Sequence, residues 1–585
     1  MHKGPITCVV VSKDGRTVYT GGYDKRLFAW DRKNDTYELV TEHEHLITSL
    51  ALSSDGETLA CGSSDHTISL HNTKSNQLIG KLIGHSDDIE TVAFGKDDQW
   101  LVSGSNNLDS RVLVWDLKTK SIVQQFKGHH NGSVNDIHVF GDRVYSAADD
   151  GNVFIWDIHT GQVIKNLAPF DCDLDACDGN NEKGLFALGM DDGTVIFYDS
   201  YSGKELDKFS AHEFGVKCLT FSPSGSQFLT AGYDHQIKIW STDSLELIST
   251  LPSYQYQWER SVVWTPDEKC IVGGSFGVKY CIWDIEKEQF VGHDTERATP
   301  SINDIAIDSK GNIATASDDG KFRINGDDVG EANLVLNNAV TLSLDGRYAV
   351  WGDHSSQVHL YDTIKNDIKF SLETKGPVNV IKYSSDDHSF YVGTYAGYVH
   401  QFSPDAQEWK NEWKLHTGAI KGLDISDGTM VSGSSDGSIR VINLSRAESY
   451  NIVGTLNIVD DLALTNDNDA IVVVGRDLLV RLYSLTTGKI IDQHTLHRYS
   501  LKSVDIDEDN TIYAGDYWGN VSIWNPYLNK EPKFIKVAQN GISGIQCHKN
   551  KAYAASYDGG VYSIDLTGNV REELRLFDQS KILTA

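Results

Sequence analysis

Short runs of alternating apolar and polar residues, mostly four to seven long, fill the chain and are broken by clusters of Gly, Asp, Asn and Ser. The first repeat reads ITCVVV, then SKDG, then TVYTGG, then YDKR, then LFAWD. A period of two belongs to strands with one face buried, and SKDG and YDKR carry the Asp and Gly that tight turns need. The pattern predicts three short strands between Ile6 and Asp31, with YELVTE as a fourth. No stretch sustains a helical period.

The same pattern recurs about every forty residues. Segments ending in an apolar run and a Trp-Asp-like pair have Trp30, His71, Trp115, Trp156, Tyr198, Trp240, Trp283, Asn325, Tyr361, Phe402, Ile442, Tyr483, Trp524 and Ile564 at the penultimate position. Four strands per repeat make one blade of a propeller, and rings hold about 4–8 blades. The expected fold is therefore all-β: fourteen blades in two tandem seven-bladed rings, with six plus eight as the competing division. The expected domains are 1–290 and 291–585, with HDTERATPS crossing between them. Each ring is expected to close by side-chain contact rather than by a borrowed strand.

In these motifs the chain resembles the WD-repeat family, along essentially its whole length. Repeat six, AHEFGVKCLTFSPSGSQFLTAGYDHQIKIWS, is similar to the family pattern throughout. The resemblance implies a hydrogen-bonded His, Ser/Thr, Asp and Trp inside a blade. These would be His212, Thr230, Asp234 and Trp240 in repeat six; His2, Thr20, Asp24 and Trp30 in repeat one; and His129, Ser146, Asp150 and Trp156 in repeat four. Other repeats depart from the pattern. Repeat two has His43 and Asp65 but Cys61 and His71; repeat three has His85, Asp109 and Trp115; repeat eleven has His416, Ser432 and Asp436 but Ile442. Repeat thirteen has His497 and Trp524, with Ala514 and Trp518 where Thr and Asp would stand. Repeats five, seven, eight, nine, ten, twelve and fourteen lack the His and are expected to rely on apolar packing.

Composition narrows the function. A formal net charge of −30 is spread over both halves. Such a surface repels nucleic acid and anionic lipid, and it attracts basic partners. Eight cysteines show no zinc-ligand spacing and read as reduced, buried thiols of a cytoplasmic protein. The acidic stretch DCDLDACDGNNE, Asp171 to Glu182, fails the calcium-loop spacing because Gly179 is out of phase, and it reads as a surface loop. Seven of the histidines fall in the structural slot of a blade, and GSSDG, ending at Gly437, reads as a turn between strands. No phosphate loop, dinucleotide fingerprint, HExxH or GxSxG is present. No catalytic residue, cofactor or metal is expected.

In a propeller the residue before the structural Asp is expected on one exposed face. Around the first ring it is Tyr23, Ser64, Leu108, Asp149, Asp191, Tyr233 and Phe276. Ring closure would make blades six, seven and one neighbours, and PSYQYQWERS adds Tyr256, Trp258 and Arg260 beside them. Exposed aromatics with an Arg have the composition of interaction hot spots. In the second ring the position reads Asp318, His354, Tyr395, Ser435, Arg476, Tyr517 and Tyr557, and Tyr517, Trp518 and Tyr557 form a second candidate. The expected function is a non-enzymatic scaffold or adaptor whose protein partners carry basic and apolar contact residues. The alternatives are an actin-interacting double-propeller regulator and a regulatory subunit of a multi-protein, perhaps prokaryotic, system.

Overall fold

The computed structural model describes residues 1–106, 109–126, 129–167, 170, 174–213, 215–234, 236–252, 261–274, 279–291, 300–329, 335–445, 448–452, 458–528 and 531–576. Fourteen four-stranded antiparallel sheets account for its strands, each built from four strands consecutive in sequence. The first blade is β1 (Ile6–Val11), β2 (Thr17–Gly22), β3 (Arg26–Asp31) and β4 (Thr36–Glu42), paired in that order. The chain divides into two compact units, Met1–Ala298 and Thr299–Ala585, with seven sheets in each. No described helix is long and apolar enough to cross a membrane.

A four-stranded sheet leaves two apolar faces uncovered, and the neighbouring sheets cover them. Cys8, Tyr19 and Leu27 of blade 1 pack on Ile47, Leu50 and Leu59 of blade 2. The seams of both rings are made the same way. Val9, Val18, Phe28 and Trp30 meet Val272, Tyr280 and Ile282 of blade 7. Ile302, Ile305 and Ile307 of blade 8 meet Ala555, Val561 and Leu576 at blade 14. Small residues permit this approach: a Cβ on Gly21 would lie 2.3 Å from Ile47, and one on Gly352 2.3 Å from Val378.

The innermost strands of neighbouring blades share no backbone ladder. Side chains bridge them instead. In the first ring Val92 N–H donates to Ser49 Oγ at 3.1 Å, Cys177 N–H to Asp136 Oδ2 at 2.8 Å, and Phe221 N–H to Asp178 Oδ2 at 2.8 Å. Val9 N–H donates to Ser261 Oγ at 3.3 Å across the seam. In the second ring Asn303, Asn338 and Asn379 donate to the Asn337, Val378 and Ile420 carbonyls at 2.9, 3.0 and 2.7 Å. Asp424, Asp461 and Asp505 accept from Leu464, Val504 and Cys547 N–H at 2.8, 2.9 and 2.6 Å. Ser543 Oγ donates to the Ile302 carbonyl across that seam.

Inside the blades, polar networks tie the outer strands to the turns. His212 Nδ1 lies 2.7 Å from Asp234 and its Nε2 2.7 Å from Thr230 Oγ1, which also accepts Trp240 Nε1–H at 2.9 Å. His2, Thr20, Asp24 and Trp30 are arranged alike, as are His85, Ser103, Asp109 and Trp115.

Blade 4 requires a correction. His130, not His129, reaches Ser146 Oγ at 2.8 Å and Asp150 at 3.3 Å. His129 is exposed against Trp156. The His–hydroxyl separation is 18 residues in blades 1, 3 and 6, and 16 in blades 4 and 11. The connection between them is two residues shorter in blades 4 and 11.

Blades 2 and 13 move the hydroxyl across a strand. Ser69, the partner of Cys61, binds His43 Nε2 at 2.8 Å and His71 Nε2 at 3.0 Å. Ser522, the partner of Ala514, binds His497 Nε2 at 2.9 Å, and Asp516 rather than position 518 meets Nδ1 at 3.0 Å. Several blades lacking the His are not purely apolar either. Arg323 pairs with Asp319, Arg481 with Asp477, His359 with Asp353, and Tyr562 with Asp558. In each, a third-strand side chain takes over the bond to a carboxylate, which lies in the turn in three blades and at the end of the second strand in blade 9.

Asp234→Ala and Ser69→Ala should each cost roughly 1–3 kcal/mol, because each strips a buried imidazole of a partner. Denaturant midpoints equal to the parent's would refute the roles assigned to these two side chains.

Candidate partner-binding face

One backbone bond repeats through both rings and fixes the exposed position. The N–H of the first residue after the second strand donates to the carbonyl just before its own blade's inner strand. The pairs include Tyr23 to Pro5, Tyr233 to Gly215, Tyr395 to Pro377, Arg476 to Ile458, Tyr517 to Ser500 and Tyr557 to Gly541. The turn and the loop entering the blade are thereby held side by side in blades 1 to 4 and 6 and in every blade of the second ring.

On the first ring Tyr23 and Tyr233 are half-buried at this position. Tyr256, Trp258, Arg260 and Phe276, as well as Leu108, lie outside the described residues. On the second ring the aromatic positions come together. The Tyr517 and Tyr557 rings stack at 6.3 Å across neighbouring blades, Trp518 stacks on Tyr499 at 3.9 Å, and His354 meets Tyr395 at 5.1 Å. Tyr395 is 38% exposed.

The sequence reading missed the charges beside these rings. The second residue of an inner strand sits at a bulge and bonds to the neighbouring blade: Thr48, Asn135, Asn303, Asn338, Asn379 and Ser543 all donate there. That residue is instead Glu90, Asp175 and Lys217 in blades 3, 5 and 6, where Lys217 Nζ lies 3.2 Å from Asp175, and Lys421, Asp460 and Lys502 in blades 11 to 13. Asp460 is 1% exposed, and neither of its oxygens accepts a hydrogen bond. Lys421 Nζ and Arg476 Nε stand 3.9 and 3.8 Å from it. Burial opposes the Lys502 charge, but Tyr517, Tyr557, Asp460 and Tyr395 together hold its ammonium above the usual lysine range. The signal was present as a break in a column of Thr, Asn and Ser.

The inner strands carry further charge along the same wall. Asp304 and Asp505 are pushed up to about 6 by burial, against the N–H groups they accept and the nearby Lys382. Burial likewise raises Asp461. Lys382 is held above its usual range, against burial, by Asp424, Asp461, Asp505 and Asp304.

Other candidate chemistry resolves into structure. Leu174–Asn180 of the acidic stretch is the inner strand of blade 5, not a surface loop, because Asp178 bonds blade 6; residues 171–173 lie outside the described ones. Cys8, Cys61, Cys177, Cys218, Cys270 and Cys547 are free thiols, and burial pushes Cys8 and Cys218 up to about 12. Among the described residues, one set of His, Cys, Asp or Glu side chains has ligand-like spacing: His66, Asp87 and Asp88.

Comparison with known proteins agrees with this architecture. The family described as WD domain, G-beta repeat, matches residues 1–31, 36–72, 76–116, 120–157 and 203–241. Protein tipD of Dictyostelium discoideum is 27% identical over 250 residues, 42% of this chain and 40% of that protein. Autophagy-related protein 16 of Arabidopsis thaliana is 28% identical over 270 residues, 45% of this chain and 52% of that protein. Serine-threonine kinase receptor-associated protein of Mus musculus is 22% identical over 244 residues, 41% of this chain and 68% of that protein. The matched stretch thus spans about half or less of the first two relatives.

The raised inner-wall carboxylates make a pH prediction. A carboxyl that holds its proton more tightly folded than unfolded stabilises fully below pH 3.8, and that contribution is lost as pH rises through about 6. Asp505→Asn cannot titrate, so its gain in melting temperature on going from pH 7 to pH 5 should be smaller than the parent's. Equal gains would show that Asp505 has an ordinary affinity for its proton.

Proposed function

Because the chain belongs to the WD-repeat family, we propose that it works as a non-enzymatic scaffold, holding protein partners on the turn faces of its rings. The observation that carries this reading is the aromatic cluster of the second ring, where Tyr517 and Tyr557 stack side by side at half-buried positions. Large rings held rigidly by backbone bonds offer contact area at little entropic cost, which is how interface hot spots are built. The blade histidines support a structural rather than a catalytic use, since their ring nitrogens are engaged by Ser, Thr and Asp. One relative is, by its name, receptor-associated, which accords with a protein that acts by contact.

The first ring supplies a second docking arc in this reading: Tyr23, Tyr233, Tyr256, Trp258, Arg260 and Phe276. The net charge of −30 favours partners with basic side chains flanked by apolar ones there, since aromatic faces attract cations by about 0.5–2 kcal/mol each.

Affinity purification with mass spectrometry tests both arcs. Tyr517→Ala with Tyr557→Ala, and separately Tyr23→Ala with Tyr233→Ala and Trp258→Ala, should each lose a subset of partners while retaining the parent's circular dichroism. Folded variants that both recover every parental partner would overturn the assignment of docking to these faces.

A further inference from the structure

His138 of the first ring stands outside the blade networks. It is the fifth residue of blade 4's inner strand, Val134–Phe140, and it reaches blade 5. Its Nδ1 lies 3.1 Å from Asp178 Oδ1, and its Nε2 3.4 Å from Asn181 Oδ1. Asp178 belongs to blade 5's inner strand, Leu174–Asn180, and Asn181 to the turn that follows it. The other oxygen of Asp178 accepts Phe221 N–H at 2.8 Å and the Thr220 hydroxyl at 3.1 Å, both in blade 6. A chain of contacts thus runs from blade 4 through blade 5 to blade 6.

The two acceptors decide the form of the imidazole. A neutral ring carries one N–H donor, whereas the imidazolium carries two. The slot histidines escape this demand, because the hydroxyl at Nε2 can donate as well as accept: Thr230 for His212, Ser103 for His85. At His138 the neighbours are a carboxylate and an amide oxygen, so only the protonated ring bonds both.

The surrounding charges are paired with one another or favour the proton. Asp136, two residues earlier on the same strand, accepts Cys177 N–H at 2.8 Å and is pushed up to about 6, chiefly by burial. Burial also raises the Cys177 thiol well above its ordinary value. Tyr145, opposite His138 in the ladder, donates to the Ser200 carbonyl, as does Arg143. Lys217 pairs with Asp175 at 3.2 Å, Lys183 with Asp243 at 2.6 Å, and His159 with Asp142 at 3.4 Å. Glu90 on blade 3's inner strand and the exposed Glu182 in the blade 5 turn add negative charge to the neighbouring elements. Burial opposes the His138 charge, but Asp178, with Asn181 and Asp136 behind it, holds the proton more tightly than in an ordinary histidine.

The second ring places a fixed charge at the corresponding position. Lys382 and Asp424 are the fifth residues of the inner strands of blades 10 and 11, Val378–Ser384 and Ile420–Ser426, as His138 and Asp178 are in blades 4 and 5.

We propose that His138 is a proton-operated latch of the first ring: its imidazolium ties blade 4 to Asp178 and Asn181 of blade 5, and release of the proton frees that contact. The stability it contributes is fully present below 6.5 and is lost as pH rises through the folded value above it. Asp136 acts in the same sense, its contribution being lost as pH rises through about 6. The first ring is then tighter in acid and looser above neutrality, while Lys382 keeps its charge.

Proton–carbon NMR of the histidine-labelled full chain tests this, with the His138 signal assigned by its absence in His138→Gln. Its titration midpoint should lie above 6.5. Asp178→Asn should lower that midpoint by about one unit or more. Asn181→Asp, at an exposed turn position, keeps the question answerable if Asp178→Asn unfolds, and should raise the midpoint by about one unit. Hydrogen exchange read by mass spectrometry reports the latch itself. After correction for the intrinsic rate, peptides covering 174–180 and 216–221 should exchange up to about tenfold faster above the midpoint than below it. His138→Gln should show no such step. A midpoint at or below 6.5, or one that neither variant moves, overturns the proposal. So does an exchange profile against pH that is the same in the parent and in His138→Gln.

Discussion

The architecture depends on satisfying backbone polar groups where no ladder can reach them. Inner strands of neighbouring blades converge without pairing, so their facing N–H and C=O groups would otherwise be stranded among packed side chains. Short oxygen- and amide-bearing residues solve this: Ser49, Asp136 and Asp178 in the first ring, Asn303, Asn338, Asp461 and Asp505 in the second. Each links one blade to the next, so the latch that satisfies a blade locally also sets its neighbour's position. Apolar packing supplies most of the driving force, and the latches supply the register.

Blade count and type were legible because a blade is a local object with local turns and a period of two. What escaped the linear reading were relations across strands. Ser69 and Ser522 replace hydroxyls missing at Cys61 and Ala514, eight residues away in sequence and adjacent in the sheet. Arg323, Arg481 and Tyr562 bond the turn carboxylate in blades without the His, a substitution visible only when the third strand is laid beside the turn. His129 and His130 are neighbours of one residue type, and only the 16-residue spacing shared with blade 11 separates them. The tyrosines that follow the second strand of a blade could be read from position alone. Lys421, Asp460 and Lys502 could not, because their meaning comes from three blades converging on one opening.

Electrostatics is arranged in layers rather than spread evenly. The surface as a whole is acidic, the wall of the second ring holds carboxylates around Lys382, and cations gather at its mouth. Desolvation makes the buried layers stronger than the same charges in water. A uniform fold thereby carries charge unevenly without any change in backbone geometry.

The side-chain seam has a consequence during synthesis. Blade 1 buries Val9, Val18 and Phe28 against Val272, Tyr280 and Ile282, which leave the ribosome some 250 residues later. At ~5–20 residues per second, that flank waits on the order of ten to fifty seconds for its cover. An open arc of finished blades, apolar at one end, is thus an obligatory species in the birth of each ring. The interval in which it could pair with another chain is set by translation rather than by folding.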